Sequence, residues 1–485
     1  MSFPILTAIV FFPLIGALVT LFYKPEQVRL IKWTALLASI VPLALSIIVI
    51  VGFHPGGGVQ FAERVLWSKT IGASYYLGID GLSLPMVFLS ALLSVIAVIA
   101  SWNISVKTKG YFALLLLLEV GMLGVFVALD YILFYIFWEL VLLPMYFLIG
   151  IWGGKRREYA ALKFFLYTLA GSVIMLLAIL AVYFNGGAKT FDILALAAKG
   201  IPLGLQHIVF WGFFLGFAVK VPIFPFHTWL PDAHVEAPTA ISVLLAGVLL
   251  KMGTYGFIRV ILTTTPDALK EYAWIMATLA VISIIYGALN AMIQKDLKRM
   301  IAYSSISHMG YVVLGIASGT VIGTNGAIMQ MFSHGLITAL LFLLVGFIYE
   351  RTHTRNISEL GGLLNKTPVL AGILCFASFA SLGLPGLSGF IAEFLVLVGA
   401  YSSLPWFAVI ASGGVVITAG YLLWMLQRVV MGALPDKYAD LLDATPREML
   451  ALVPLVVLVL VVGLYPESVL GFINHSVVAL VKVVG

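Results

Sequence analysis

The sequence predicts an all-α polytopic membrane protein of about fourteen transmembrane helices, two of them broken, with two inverted five-helix repeats. Three observations support this: an apolar composition, long apolar runs that recur along the chain, and proline-rich interruptions beside charged residues. Of the 485 residues, 62% are hydrophobic and 10% are charged, whereas a soluble domain carries about 25% charged residues. No segment is long and polar enough for a soluble domain, so residues 1–485 are treated as a single membrane domain.

The apolar runs have the length that crosses a hydrocarbon core of about 30 Å as a helix. We place spans at residues 4–22, 31–52, 83–101, 110–129, 131–151, 163–184, 205–221, 239–259, 272–293, 300–318, 325–349, 368–402, 406–427 and 449–468. The first run has no basic residue before it and no small-residue cleavage site after it. We therefore expect a permanent helix there and not a removable signal peptide.

Basic residues between the spans predict the orientation, because cytoplasmic loops are enriched in Lys and Arg. Loops after odd-numbered spans hold most of the 27 Lys and Arg residues, including those near residues 24–32, 155–163 and 295–299. Both termini are therefore predicted to face away from the cytoplasm, in the inner membrane of the cell. Lys220 and Lys251 fall in no predicted loop, so topology does not explain them.

Charged side chains deep in the predicted spans are the main functional signal. They are Glu139, Lys220, Lys251 and Glu393, with Glu119 as a fifth. Each costs at least ~2.5–3.5 kcal/mol on insertion scales, so such groups normally face the protein interior and mark ion or proton paths. Burial favours the neutral form of each group, whereas a Glu–Lys pair favours the charged forms. Moving one partner would therefore load or unload a proton.

Histidines and hydroxyl groups are candidates for the rest of a proton path. They are His227 in the proline-rich stretch, Tyr303, Ser304, Ser305, Ser307 and His308 in one run, and Ser333, His334 and Thr338 in another. Each histidine is equally open to interpretation as a packing residue. His308 and His334 lie on different predicted helices without the paired spacing of stacked haems, which disfavours haem ligation.

Cofactor and metal sites are not predicted in this chain. The one cysteine, Cys375, lies in an apolar run where core packing explains it, so disulfides and cysteine-ligated clusters are excluded. The sequence shows no phosphate-binding loop after a strand, no dinucleotide fingerprint and no nucleophile–base set. Its positive net charge is distributed as topology requires, so no nucleic-acid partner is predicted.

Prolines interrupt two of the charged spans. Pro222 and Pro225 follow Lys220, and Pro385 precedes Glu393. Non-helical backbone at membrane depth is tolerated only where it lines a cavity or is buried in protein. Paired interruptions in corresponding positions indicate an inverted-repeat transporter. We divide the chain into 1–109 (helices 1–3), 110–260 (first repeat, helices 4–8), 272–430 (second, inverted repeat, helices 9–13) and 449–485 (helix 14 and the C-terminal segment).

Four segments resemble a known family: FYIFWELVLLPMYFLIGIWGG, FAVKVPIFPFHTWLPDAHVEAPT, SVLLAGVLLKMGTYGFIR and AYSSISHMGYVVLG. They are similar to the antiporter-like membrane subunits of respiratory complex I, the proton-pumping NADH-quinone oxidoreductase. The resemblance implies that Glu139 and Lys220 form a charge pair, that Lys251 is the central relay and that Glu393 is the last proton group. Glu393 resembles the subunit M branch, since the sister branches L and N usually carry lysine there.

The same resemblance implies partners and cofactors outside this chain. In such complexes, electron transfer from NADH to quinone takes place in other subunits, so NADH, FMN, iron–sulfur clusters and quinone are expected in partner subunits. The enzyme class would belong to the assembly, and proton translocation would be the share of this chain. The partners implied are the other complex I membrane subunits, including the sister antiporter-like subunits, together with protons and the lipid bilayer.

Three alternatives stay open at the level of sequence. The first is a subunit of a multisubunit Na⁺/H⁺ antiporter or a membrane-bound hydrogenase, which share these motifs. The second is a stand-alone ion-coupled solute symporter, which predicts a midplane cavity with varied hydrogen-bonding groups. The third is a structural membrane scaffold, which predicts that replacing Lys220 or Glu139 leaves ion transport intact.

Overall fold

The computed structural model describes residues 3–484, most of which are helical. In chain order the elements are α1 (Ile5–Phe22), α2 (Val28–Gly52), β1 (Gln60–Ser68), β2 (Ala73–Ile79), α3 (Leu84–Ala100), α4 (Thr108–Val127), α5 (Tyr131–Trp152), α6 (Arg157–Asn185), α7 (Ile193–Lys199), α8 (Leu203–Lys220), α9 (Trp229–Glu236), α10 (Thr239–Thr264), α11 (Pro266–Met292), α12 (Leu297–Ala317), α13 (Val321–Thr352), α14 (Pro368–Ser381), α15 (Ser388–Ser403), α16 (Pro405–Val429), α17 (Pro446–Leu464) and α18 (Glu467–Val484). Short 3₁₀ turns lie at Ile357–Glu359, Leu363–Asn365 and Asp436–Tyr438.

Membrane-spanning helices dominate this architecture. Within residues 3–484, twelve helices are long and apolar enough to cross a membrane by length and composition, and α3, α14 and α15 are shorter apolar helices. The helices α14 and α15 occupy the predicted twelfth span and are separated by a non-helical segment. The multi-pass helical membrane fold is therefore confirmed, whereas the total of fourteen spans and the inverted repeat stay predictions.

The centre of the molecule is formed by α10, α12 and α13. The apolar lengths of α10 and α13 are completely buried and that of α12 nearly so, whereas α1, α2, α6, α16 and α17 are largely exposed. Exposed apolar side chains on outer helices suit a lipid solvent, because lipid tails are as apolar as leucine. The charged residues Lys251 and Arg259 on α10 are therefore enclosed by protein.

Both predicted helix breaks are confirmed. The first separates α8 from α9, where Pro222 and Pro225 remove backbone donors. Two contacts hold this break: Phe224 N donates to Ser283 Oγ at 3.0 Å, and Trp229 Nε1 donates to Val219 O at 2.9 Å.

The second break separates α14 from α15 and contains two glycines in the left-handed region. Gly383 has a φ of +82° and Gly386 a φ of +92°, on either side of Pro385. Glycine adopts these angles without the steric penalty that a Cβ brings. The sequence of the break therefore ends α14 and allows the chain to restart as α15.

The central helix α10 is not a uniform α-helix. Two π-helical turns, at Leu245–Leu249 and Phe257–Ile261, lie on either side of the α-helical segment Leu250–Gly256. Such turns are uncommon and often occur at functional sites. The apolar pattern of the span did not predict them.

A β-hairpin precedes α3 in a segment to which the sequence analysis assigned no secondary structure. Strands β1 and β2 pair antiparallel, with Arg64 opposite Tyr76. Glu63 on β1 accepts hydrogen bonds from the backbone N–H groups of Leu6 (2.7 Å) and Thr7 (3.1 Å), at the start of α1. The hairpin thus caps a helix N-terminus whose amides have no partner within that helix.

The C-terminal segment forms a separate helix, α18, shortly after α17. Its Asn474 accepts a hydrogen bond from Asn325 Nδ2 at 2.7 Å, and its Ser476 accepts one from Gly81 N at 3.0 Å. The last helix is therefore attached to α13 and to the segment before α3.

Candidate functional site

Lys220 lies in the last turn of α8, directly before the first break, and is 2% exposed. Its Nζ lies 5.4 Å from the ring centroid of Trp138 and 5.7 Å from that of Phe164. The negative face of an aromatic ring attracts a cation at these distances. The two rings therefore provide an electrostatic environment for an ammonium group in an otherwise apolar region.

Glu139 follows Trp138 on α5 and is half-buried. None of the ion pairs formed by residues 3–484 joins Glu139 to Lys220, so the predicted direct charge pair is not present in this structure. Glu139 Oε1 is buried and has no hydrogen-bond partner within the same residues. Lys220 Nζ instead lies over the ring of Trp138. The sequence did not predict this, because it does not encode the distance between side chains on neighbouring helices. A functional coupling of Glu139 with Lys220 stays a prediction.

His227 lies within the first break and is 3% exposed. Its ring stacks on Phe224 at 5.7 Å and meets the edge of Tyr286 at 5.0 Å. After the break, Asp232 on α9 pairs with Lys163 at 2.7 Å. Packing and ion pairing thus fix both sides of the break, and the role of His227 in a proton path stays a prediction.

Lys251 is completely buried on α10, in the α-helical segment between the two π-helical turns. Its Nζ donates to Ala246 O at 2.5 Å and lies 2.6 Å from His334 Nδ1 on α13. An ammonium group donates hydrogen bonds and a neutral imidazole nitrogen accepts one. The structure therefore joins the predicted central relay directly to a predicted histidine of the path.

His308 on α12 continues the sequence of contacts. Its ring centroid lies 5.4 Å from that of His334. His308 Nδ1 lies 2.8 Å from Ser304 O, and Nε2 lies 3.1 Å from Ser381 O and 3.5 Å from Glu393 Oε1. Both ring nitrogens face oxygen acceptors, and only a protonated imidazole has two N–H groups to donate. The ring can therefore take up a proton without reorientation.

Glu393 lies on α15, is 5% exposed and points back to the second break. A Cβ added to Gly383 would lie 3.2 Å from Glu393 Oε2, so the carboxylate approaches the backbone of the break closely. Next to it is a small cavity lined by His308, Gln330, His334, Ile337, Ala380, Ser381, Gly389 and Glu393. It has room for about one water molecule. Lys251, His334, His308 and Glu393 thus form a row of neighbouring polar groups, with the cavity beside the last three.

Several predicted supporting residues lie outside the row formed by Lys251, His334, His308 and Glu393. Ser304 and Ser305 donate to Ile301 O, Ser307 to Ile284 O, Ser333 to Ser388 O and Thr338 to His334 O. These hydroxyl hydrogens are thus directed at backbone carbonyls, and Tyr303 is half-buried. A proton-carrying role for these side chains stays a prediction.

Glu119 points away from the helix that carries Glu139. It accepts a hydrogen bond from Ser39 Oγ of α2 at 2.7 Å. On the opposite side of α4, Gly121 and Gly124 face α5, since a Cβ on Gly124 would meet the ring of Phe137. Membership of Glu119 in the path stays a prediction.

Sequence reasoning missed His234, although it lies in the proline-rich stretch that drew attention to Lys220. It is completely buried on α9, and its ring stacks on Phe342 at 4.5 Å. Neither ring nitrogen has a hydrogen-bond partner in the part of the chain that the structure describes. A second histidine seven residues after His227, in the same proline-rich stretch of the sequence, was the available signal.

The assignment of Arg259 and Lys298 to loops between the spans was wrong. Arg259 is buried on α10, where it pairs with Asp80 at 2.6 Å and donates to Tyr255 OH at 3.0 Å. Burial raises the pKa of Asp80, but the charge and hydrogen bond of Arg259, together with the backbone N–H groups of Ser83 and Leu82, outweigh it and hold that pKa below the ordinary value. Lys298 is buried on α12 and donates to Ala237 O. Among the residues that the structure describes, Lys220, Lys251, Arg259 and Lys298 are the buried Lys and Arg side chains.

Candidate metal ligands do not cluster within residues 3–484. No group of three or more His, Cys, Asp and Glu side chains in this range has a geometry that could hold a metal ion. The titratable groups described above instead follow one another across α10, α13, α12 and α15. This arrangement suits the transfer of protons between neighbouring groups.

Comparison with known proteins gives consistent matches along the chain. The family profile described as NADH:quinone oxidoreductase/Mrp antiporter, TM, matches residues 128–418. NADH-quinone oxidoreductase subunit M of Rhodobacter capsulatus is 44% identical, over 99% of this chain and 96% of that protein.

Solved structures show the same fold. A chain of respiratory complex I from Thermus thermophilus with bound NADH matches with a TM-score of 0.92 at 31% identity, over 99% of this chain and 100% of that one. A chain of the Mrp complex from a Dietzia species matches with a TM-score of 0.85 at 21% identity, over the full length of both chains. The second likeness concerns the fold alone.

Proposed function

The chain belongs to the subunit M family of NADH-quinone oxidoreductase, and from this premise we propose that it moves protons across the membrane through Glu139, Lys220, Lys251 and Glu393. The assembly to which it contributes would couple electron transfer from NADH to quinone with this movement. The full-length similarity to the Rhodobacter subunit M and to a chain of the Thermus respiratory complex I supports this assignment.

One observation carries the proposal: Lys251 hydrogen bonds to His334, and His308 and Glu393 lie next to this pair around one small cavity. The distances are 2.6 Å from Lys251 Nζ to His334 Nδ1 and 3.5 Å from His308 Nε2 to Glu393 Oε1, with the two rings 5.4 Å apart. Proton transfer requires groups within hydrogen-bond reach or separated by one water. A packed hydrophobic bundle has no structural need for four titratable groups in this order.

The first half of the path is proposed on different grounds. Lys220 ends α8 at a break and lies 5.4 Å from the ring of Trp138, the residue before Glu139. Glu139 Oε1 is buried and has no hydrogen-bond partner within residues 3–484. A carboxylate that approaches or leaves a buried ammonium changes its proton affinity. In our proposal Glu139 and Lys220 load the path, and His234 on α9 connects them to the central Lys251.

The redox chemistry is proposed to reside in partner subunits. NADH, FMN, iron–sulfur clusters and quinone would be held there, and this chain would provide the membrane passage as part of an oxidoreductase complex. We further propose that the chain contacts sister antiporter-like subunits in the inner membrane and has both termini on the non-cytoplasmic side. The excess of basic residues after odd-numbered spans supports that orientation.

Proton translocation by the complex in vesicles tests the proposal. The variant Lys251→Ala should assemble, because alanine removes a buried charge without adding volume, but protons moved per NADH oxidised should fall. Lys270→Ala, which removes an exposed lysine on α11, is the matched control. Normal translocation by an assembled Lys251→Ala complex would contradict the proposal.

A subunit of a multisubunit Na⁺/H⁺ antiporter is the second candidate, because the description of the matching family covers both systems. Native purification separates the candidates. Co-purifying subunits with iron–sulfur clusters support the oxidoreductase, whereas antiporter partners without redox groups and Na⁺-dependent proton movement support the antiporter.

A further inference from the structure

Two polar atoms on α13 are buried one helical turn apart without a partner. Gln330 Oε1 and His334 Nε2 make no hydrogen bond within residues 3–484, and their residues are 2% and 3% exposed. Residues four apart on a helix lie on the same face. Native proteins rarely leave buried polar groups unpaired, so each such group requires an explanation.

The contact with Lys251 determines which atom of His334 carries hydrogen. Lys251 Nζ lies 2.6 Å from His334 Nδ1. When Lys251 is an ammonium ion it has only donors to offer, so Nδ1 accepts and the ring hydrogen is on Nε2. His334 Nε2 is then a donor, and Gln330 Oε1 on the same face is an acceptor. The two unpaired atoms are therefore complementary.

Both residues line the small cavity beside Glu393, which has room for about one water molecule. We propose that this cavity is a water-binding site in which one water accepts from His334 Nε2 and donates to Gln330 Oε1. Gln330 is thereby a positioning residue for proton transfer from Lys251 to Glu393. This inference rests on the proposed function, since it gives that path its connecting water and its orienting amide.

The transfer balances without any further reactant. The Nζ–H bond of Lys251 breaks as Nδ1–H forms on His334, the Nε2–H bond breaks as the water takes that proton, and the water gives another proton to the Glu393 carboxylate. Lys251 ends as a neutral amine, Glu393 as a carboxylic acid, and His334 as the other neutral tautomer. Gln330 fixes one hydrogen of the water, which leaves the second free to point to Glu393, on the wall of the same cavity.

The first test is a density map of the intact wild-type complex at a resolution that shows ordered water. A peak within hydrogen-bond distance of both Gln330 Oε1 and His334 Nε2 is expected. A map that shows other waters of the path but no such peak overturns the inference, and this result does not depend on any variant.

The second test uses Gln330→Leu, which removes the acceptor at similar volume, and Gln330→Glu, which keeps an oxygen at the same reach. Gln330→Leu should lower proton translocation roughly tenfold, the scale on which partners that orient a functional histidine act, and Gln330→Glu should retain most of it. Asn325→Leu is the matched control. Asn325 is also a buried amide on α13 whose oxygen has no partner within residues 3–484, but its nitrogen donates to Asn474 on α18, away from the cavity. The nitrogen-15 shifts of His334 should show the Nε2–H tautomer in the wild type and a mixture in Gln330→Leu, a change that loss of stability alone does not produce.

Parallel measurement of Lys251→Ala separates the two levels of the argument. Normal translocation by Lys251→Ala overturns the proposed path and this inference with it. Impaired translocation by Lys251→Ala with normal translocation by Gln330→Leu overturns the inference alone. If Gln330→Leu does not assemble, the inference is judged by the water peak in the wild-type map and by the translocation that Gln330→Glu retains.

Discussion

Lys251 and His334 hydrogen bond across the boundary between the two predicted five-helix repeats. Lys251 belongs to α10, within the first predicted repeat, and His334 to α13, within the second, and their nitrogen atoms lie 2.6 Å apart. The side chains come from two of the most deeply buried helices of the bundle. In the proposed path, a proton that crosses this contact passes from the first predicted repeat to the second, so this contact is where we expect a substitution to interrupt the path.

Replacing His334 with Gln should interrupt it. Lys251 would keep its bond to Ala246 O but lose the ring that accepts and passes on a proton. We expect proton translocation to fall by roughly 10²-fold or more, the lower end of the range for a positioned acid–base group. Translocation is measured in vesicles at matched rates of NADH oxidation. His475→Gln, which changes an exposed histidine on α18, serves as the control, and equal losses in both variants would count against the path.

Replacing Glu139 with Gln tests the coupling to Lys220 in the absence of a direct ion pair. Gln is isosteric, so the complex should assemble, but it cannot change its charge and translocation should be abolished or strongly reduced. The control is Glu158→Gln, an exposed carboxylate in the first turn of α6. An assembled Glu139→Gln complex that pumps at the wild-type rate would show that the carboxylate is dispensable.

Gly383→Ala should disturb the second break. The new Cβ would lie 3.2 Å from Glu393 Oε2, and the φ of +82° is unfavourable for alanine by about 1–2 kcal/mol. We expect reduced translocation because the Glu393 carboxylate must move away from the break. In the control Gly372→Ala, on α14, the added Cβ has no neighbour within 4 Å and should have little effect. Indistinguishable activities of the two variants would contradict this account of the break.

Asp80→Asn should destabilise the protein, because it leaves the buried Arg259 charge without its partner. Breaking a buried ion pair from one side costs roughly 3–5 kcal/mol, measurable as a lower thermal midpoint of the purified complex. The double variant Asp80→Asn with Arg259→Met should recover part of the loss, since no unpaired charge then remains. No recovery would indicate that Asp80 acts through its other hydrogen bonds.

The same pair predicts a pH dependence. The pKa of Asp80 in the folded protein lies below its ordinary value of about 3.9. Its contribution to stability is therefore present above that value and is lost as the pH falls through the lower, folded-state pKa. The difference in thermal midpoint between wild type and Asp80→Asn should shrink at acidic pH, and a difference that grows there would contradict the assignment.

The sequence predicted the features that depend on local composition. Apolar runs indicated the helices, and prolines beside Lys220 and Glu393 indicated both breaks, because the physics of a missing backbone donor is local. The buried pair of Arg259 with Asp80 was missed, since the partners are separated by 179 positions and a loop count treats every such arginine as solvated. The hairpin was not predicted because it has no apolar run of membrane-spanning length. Its aromatic and β-branched residues, which strands favour, were the available signal.

The functional site also combines features that local sequence predicts with contacts that depend on packing. Lys251, His334, His308 and Glu393 were identified as charged or polar groups at membrane depth, and the structure brings them together. The direct contact of Glu139 with Lys220 was not found, since the separation of side chains on neighbouring helices depends on packing around Trp138. Gln330 carries no charge, so the pattern of ionisable residues did not predict it.

The two π-helical turns of α10 have a consequence for comparison and engineering of this helix. Each π turn accommodates one residue more than an α turn, and one residue corresponds to about 100° of rotation about the helix axis. Deleting a single residue from Leu245–Leu249 would therefore convert this π turn to an α turn, and Lys251 would keep nearly the same rotational position toward His334. The extra residue of each π turn is thus absorbed locally, and an alignment that places a one-residue gap at such a turn still compares residues on the same face of the helix.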